Sequence, residues 1–202
     1  MRFPKKSLLL VLALSASLTG SAFATGFSVG ATAGMNGFTG DAGEGLKSGL
    51  VIAGFGDYMV NDMWAIGVDL SYAISKHEDD GKLAEVVYPG GGLTGEITSE
   101  VKVMQFGVHA KVFLPMTGSP IAPYLLAGAG MYNGKSEWSV PGYSEESDDS
   151  DPGFRGGVGA NFTVNPMFGI NAEADFNSIM TEGESTNMYT IRAGVVFKLA
   201  SK

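Results

Sequence analysis

Two histidines and one dense run of carboxylates are where this 202-residue chain could do chemistry. The run is Glu145-Glu146-Ser147-Asp148-Asp149-Ser150-Asp151. Hard cations such as Ca²⁺ and Mg²⁺ take carboxylate oxygens, and Asp149-Ser150-Asp151 opens like a calcium-binding loop. Ala160 stands where the closing Glu of that loop should be, so the run reads as a solvated acidic loop. His77-Glu78-Asp79-Asp80 offers one imidazole without further ligands at metal spacing and reads the same way. There is no cysteine, hence no thiolate nucleophile, disulfide or zinc–sulfur centre, and no serine sits on a nucleophile elbow. No catalytic residue, metal ligand or bound cofactor is expected.

A second set of charges is scattered, and its placement says more. Asp57, Asp69, Glu173 and Asp175 stand against Lys111, Arg155, Arg192 and Lys198, each inside a segment where apolar and polar residues alternate. Period two sustained over about ten residues argues strand. In Met167–Asn177, Phe168, Ile170, Ala172, Ala174 and Phe176 oppose Gly169, Asn171, Glu173, Asp175 and Asn177. In Met63–Ile74, Trp64, Ile66, Val68, Leu70 and Tyr72 oppose Ala65, Gly67, Asp69 and Ser71. Phe27–Met35, Leu50–Met59, Val101–Leu114, Ile121–Tyr132, Phe154–Val164 and Tyr189–Leu199 complete a set of eight. The charges share the face opposite the apolar one, with His109 and Gln105 beside Lys111 on Val101–Leu114. Charges away from bulk water are tolerated when paired and hydrogen-bonded. Counting from the aromatic ends of the strands predicts two facing pairs, Glu173–Arg192 and Asp175–Arg155, with a register freedom of two residues.

Five segments carry two aromatic residues eight positions apart in one strand phase: Trp64/Tyr72, Tyr124/Tyr132, Phe154/Phe162, Phe168/Phe176 and Tyr189/Phe197. Eight is even, so both rings face one side, roughly 26 Å apart along the strand. A tilt of about 40° reduces that to about 20 Å of height. Transmembrane barrels show an outward apolar band about 25 Å tall between two aromatic girdles. These ten residues, with Tyr58, are therefore expected at the lipid interface of an all-β, eight-stranded, antiparallel up-and-down transmembrane β-barrel. Ile121–Tyr132 is ambiguous. Its aromatic pair favours Tyr124 and Tyr132 outward, yet that phase sends Gly128 and Gly130 outward too and leaves an apolar interior face.

Met1–Ala24 reads as a secretory signal with Arg2, Lys5 and Lys6 at its start and Ala22-Phe23-Ala24 as the cleavage motif, cut between Ala24 and Thr25. A retained membrane anchor is the rival reading of that segment. Residues 25–202 then form one barrel domain. Their ten basic residues against 21 acidic ones give a formal charge of −11, which argues against nucleic acid as a partner. No later apolar stretch is long enough for a transmembrane helix, and lipid leaves no partner for an open sheet edge, so closure is required. Val60-Asn61-Asp62-Met63-Trp64 recurs as Val164-Asn165-Pro166-Met167-Phe168, each copy reading as strand, tight turn, strand. Pro115–Pro120 is the third tight turn. Four long connections, Asn36–Gly49, Ser75–Glu100, Asn133–Gly153 and Ser178–Met188, alternate with these. Short periplasmic turns and long outer loops show that asymmetry, and it puts both termini in the periplasm.

Gly54-Phe55-Gly56-Asp57-Tyr58, Pro123-Tyr124-Leu125-Leu126-Ala127-Gly128-Ala129-Gly130 and Ile191-Arg192-Ala193-Gly194-Val195-Val196-Phe197 resemble the small bacterial outer-membrane β-barrel family, which includes the OmpX type and the OmpA transmembrane domain. The resemblance covers about residues 25–199. It implies outer-membrane lipid and lipopolysaccharide as surroundings, and insertion by the barrel-assembly machinery, which reads a terminal aromatic residue. Phe197 fits that signal, although Lys198–Lys202 runs past it. No peptidoglycan-binding domain is expected after the barrel.

The leading functional expectation is a non-enzymatic outer-membrane barrel with acidic outer loops, serving envelope integrity, adhesion or surface interaction. A narrow pore or small-solute conduit is the alternative. A lipid A-modifying enzyme would need His77 or His109 beside a serine and a carboxylate at the outer rim, and His109 sits too low on its strand. An inverted, lipocalin-like carrier would place the apolar face inside.

Overall fold

Alternation on every segment leaves each strand one greasy edge and one polar edge, and a sheet of such strands hides its polar face from lipid by curling shut. The computed structural model describes residues 26–40, 45–78, 80, 83–88, 91–114, 116, 118–140, 143–181 and 185–199. Its strands are β1 (Phe27–Thr39), β2 (Gly49–Met59), β3 (Trp64–Lys76), β4 (Leu83–Tyr88), β5 (Gly91–Glu96), β6 (Thr98–Phe113), β7 (Ile121–Val140), β8 (Tyr143–Asn165), β9 (Phe168–Met180) and β10 (Ser185–Lys198). Eight of them form a closed barrel in the order β1-β10-β9-β8-β7-β6-β3-β2, every pair antiparallel. Hairpin follows hairpin, and β1 pairs β10 from Ser28↔Lys198 to Thr39↔Asn187 to close the ring. The signal segment Met1–Ala24 and its cleavage point at Ala24 and Thr25 lie outside the described residues.

Strand extends into all four expected long connections, and two of them differ most. Ser75–Glu100 contains a separate two-stranded sheet, β4–β5, rather than loop alone. Asn133–Gly153 is largely strand: β7 and β8 stay paired out to Val140↔Tyr143, far beyond the last β8–β9 rung at Gly153↔Ile179. The reason is physical. From Asn133 onward both faces of the hairpin are mostly polar, with Trp138, Val140 and Tyr143 too few to set a hydrophobic period, while the backbone ladder continues regardless of side chain. The acidic run Glu145–Asp151 therefore lies on β8.

The repeated sequence is a repeated turn. Asn61 Oδ1 accepts from the amides of Met63 and Trp64, both at 2.9 Å, and Asn165 Oδ1 accepts from Met167 and Phe168, also both at 2.9 Å. Each Asn side chain thus replaces a backbone acceptor across the turn. Replacing Asn61 by Ala is expected to cost about 1–2 kcal/mol, two partly exposed hydrogen bonds' worth. Reversible urea unfolding in lipid vesicles measures it, and a loss below about 0.3 kcal/mol would mean the cap adds nothing beyond the turn itself.

The barrel wears its apolar residues outward. Leu50, Ile66, Val108, Leu125, Val158 and Ile191 are each at least half exposed, whereas Asp57, Asp69, Lys111, Arg155, Glu173, Asp175 and Arg192 are buried. Inside, the lumen is layered. Val51, Ala73, Val103, Tyr132, Ile179 and Met188 pack at the end toward the long connections. Ala65, Phe113, Tyr124 and Leu126 pack toward the tight turns. The charged groups lie between.

Candidate functional site

Paired charges fill the middle of the lumen, as small barrels require when no cavity remains. Arg192 on β10 stands directly opposite Glu173 on β9, and its Nη2 donates to Glu173 Oε1 at 2.5 Å and Asp175 Oδ2 at 2.8 Å. Glu173 Oε2 also accepts from Tyr124 Oη at 2.6 Å, and that hydroxyl accepts from Asn171 at 2.8 Å. On the far wall, His109 is held between two carboxylates, with Asp57 Oδ1 2.6 Å from Nε2 and Asp69 Oδ1 2.8 Å from Nδ1. Lys111 donates to Asp57 Oδ2 at 2.8 Å and sits 4.1 Å from the centroid of the Phe55 ring. Arg155 reaches across the lumen from β8 to Asp69 on β3, 3.1 Å away. Four carboxylates thus meet three permanent cations, with both histidine nitrogens in reach of carboxylates. A void of only about 10 Å³ remains among Phe55, Asp69, Lys111, Arg155, Glu173 and Arg192, room for about one water.

The structure brings Glu173 and Arg192 together and separates Asp175 from Arg155. Asp175 faces Gly157 in the ladder, and Arg155 faces Asn177, two residues up the strand. Arg192 is long enough to span both carboxylates of β9, which leaves Arg155 for Asp69. Lys198 is exposed at the rim, 3.3 Å from Thr163 Oγ1, rather than enclosed. Strand phase alone sets His109 beside Lys111 and Gln105; its contacts are instead Asp57, Asp69 and, at 3.3 Å from Nδ1, the Arg155 guanidinium, while Gln105 accepts from Ser71.

Tyr124 and Tyr132 are the correction among the aromatic residues. Both point into the lumen, 1 % and 2 % exposed. A phenol carries a polar tip, and each tip finds a buried partner: Tyr124 donates to Glu173, and Tyr132 to Asn177 Oδ1 at 2.8 Å. Their rings occupy space that glycines leave free. A Cβ on Gly159 would lie 2.3 Å from the Tyr124 ring, and one on Gly153 would lie 2.8 Å from Tyr132. Those glycines, with Leu125 and Met131 outward, were the available signal. Tyr58, Trp64, Tyr72, Phe154, Phe162, Phe176, Tyr189 and Phe197 lie on the outer face, and half-buried Phe168 packs against Phe197 with ring centroids 5.3 Å apart and planes tilted by 54°.

Beyond the spanning wall, a ladder of partly exposed ion pairs crosses β3, β6 and β7. Lys76 contacts Asp80 at 2.9 Å and Glu100 at 3.3 Å, and Lys102 contacts Glu137 at 2.6 Å. The Lys76 ammonium holds the Asp80 carboxyl below its usual range, chiefly through their hydrogen bond. Among the described residues no cluster of three or more His, Cys, Asp or Glu side chains could hold a metal ion.

A closed sheet of eight strands, apolar outside and ion-paired within, defines an integral membrane β-barrel. The chain belongs to the outer membrane protein beta-barrel domain family, whose model matches residues 7–198. Membership places it with proteins of the bacterial outer membrane. It is similar to Neisserial surface protein A, at 20 % identity over 85 % of this chain and 96 % of that one, with a TM-score of 0.58. A major outer membrane protein from Thermus thermophilus is similar at 14 % identity over 86 % and 98 %, with a TM-score of 0.57. At these identities the likeness is one of fold. Comparison with curated proteins gave no match.

Proposed function

We propose that the protein is a non-enzymatic barrel of the outer membrane, anchored by its girdle and working through the structure it carries outside. The observation behind this reading is the filled lumen. Ion pairs occupy its centre, apolar layers lie above and below, and the void among the charges takes about one water. Among the described residues nothing in that charged centre is open to a substrate, and His109 is enclosed by Asp57, Asp69 and Arg155 rather than set at a rim. The long β7–β8 hairpin, with its acidic outer strand, is what the barrel presents to surroundings. Its roles are surface interaction, adhesion or envelope integrity. Outer-leaflet lipid and lipopolysaccharide meet the belt of Tyr72, Phe154, Phe176 and Tyr189, and both termini lie in the periplasm after signal removal.

Planar-bilayer recording separates this from a conduit. The refolded barrel is expected to show no stepwise conductance above the lipid background in molar KCl. Regular single-channel steps that disappear in a denatured sample would replace this reading with the pore.

A further inference from the structure

The outer mouth of the lumen is shaped as a cup. Its volume is about 160 Å³. Phe38, Val101, Val103, Tyr132 and Ile179 line its floor. Beneath them Val51, Ala73 and Met188 continue the apolar layer, which separates the cup from the charged centre. The wall is β8, where Asp149 and Asp151 join the lining. These two alternate with Asp148 and Ser150 along the strand, so they take the inner side of the hairpin while Asp148 takes the outer one. Among the described residues neither Asp149 nor Asp151 has an ion-pair partner. Lys135 contributes to the lining, but its ammonium is engaged by Glu146 and Asp148, the latter at 3.3 Å. Gly134 faces Val103 on one side and Asp149 on the other, and a Cβ built on it would meet nothing within 4 Å. The wall is open at that point.

We propose that this cup is a binding site for a small organic ammonium ion. The chemistry selects that class in two steps. An apolar floor that includes the half-buried Phe38 ring favours a ligand with a hydrocarbon surface, and an aromatic ring favours a cation over its face. Two carboxylates with no ion-pair partner among the described residues set the sign of the charge. An inorganic cation would leave the apolar floor uncovered, and a neutral hydrocarbon would leave both carboxylates uncompensated. A quaternary or primary amine on a short carbon body covers both. The sealed layer beneath makes the site a receptor at the surface and not an entry to a channel. The proposal goes beyond the surface role above and does not need it.

Choline is the probe, with 3,3-dimethyl-1-butanol as its uncharged equivalent in shape. The full chain refolded in octyl glucoside micelles is titrated with each, read by calorimetry and by amide shifts at Phe38, Val101 and Ile179. Choline is expected to bind about tenfold or more tightly than the alcohol. Asp149→Asn/Asp151→Asn is expected to weaken choline about tenfold or more, and Gly134→Leu to abolish binding by filling the cup. Asp148→Asn, on the outer side of the same strand, is expected to leave choline binding unchanged. Heat-modifiable gel migration verifies that each variant is folded. Absence of choline binding to the folded parent overturns the proposal, as does equal binding of the alcohol. Equal losses in Asp148→Asn and in the double variant would reduce it to general charge attraction, which also overturns it.

Discussion

Replacing Arg192 by Leu is expected to destabilise the barrel by about 3–5 kcal/mol, the cost of leaving a buried charge without its partner. Arg192 is 6 % exposed and its guanidinium serves two carboxylates, Glu173 at 2.5 Å and Asp175 at 2.8 Å. Leucine fills similar apolar volume but supplies no donor. Both carboxylates then lie in a lumen where the spare cations are already engaged, Arg155 by Asp69 and Lys111 by Asp57. Arg192→Lys is expected to recover part of the loss, because an ammonium is a point charge that cannot present the planar fork. The decisive comparison is Arg192→Leu in a Glu173→Gln/Asp175→Asn background. Amides need no counter-charge, so most of the loss should vanish there. Urea unfolding in vesicles gives the four stabilities. If the loss is the same in the neutral background, the arginine acts through packing and the ion-pair reading fails.

Ala193→Arg should cost about 2–4 kcal/mol, the toll for a cation on the lipid face near mid-bilayer. Ala193 lies midway between Tyr189 and Phe197, exposed on the outer wall, with Ala33 and Ala172 opposite it on the neighbouring strands. Its neighbour Arg192 is a cation one residue away, yet it faces the lumen and is paired there. One step along the strand therefore reverses the sign of what a guanidinium does. Ala193→Leu serves as the size control and is expected to change stability by less than about 0.5 kcal/mol. An inverted barrel, apolar inside, would tolerate Ala193→Arg as a surface change, and an unaltered unfolding midpoint would point that way.

How far the sequence reached depended on contrast between the two faces of each strand. On β9 the contrast is complete, Ile170, Ala172 and Ala174 against Asn171, Glu173 and Asp175, and strand, phase and interior charges were all legible there. On β7 it is missing. Leu125 and Leu126 differ in nothing that alternation can register, yet one is 52 % exposed and the other 4 %. Eight-residue aromatic spacing then pointed the wrong way, because a tyrosine satisfies a girdle and a buried carboxylate equally well by composition. The outer hairpin escaped for a related reason, since Ser136, Glu137, Ser147 and Asp148 are polar on both sides of the ladder.

By itself the sequence determined that eight amphipathic strands exist, that they must close, and that Asp57, Asp69, Lys111, Arg155, Glu173, Asp175 and Arg192 end up on the hidden side. The hidden side follows from the period-two geometry of each strand, which is local, and closure from the cost of an open sheet edge in lipid. Which charge meets which was decided only by the tertiary structure. Glu173 and Arg192 are ladder neighbours and could be matched by counting, but Arg155 finds Asp69 across the lumen, and His109 joins Asp57 and Asp69 from a third strand. Those contacts depend on the stagger between strands and the curvature of the closed sheet, and neither quantity is written in any single segment.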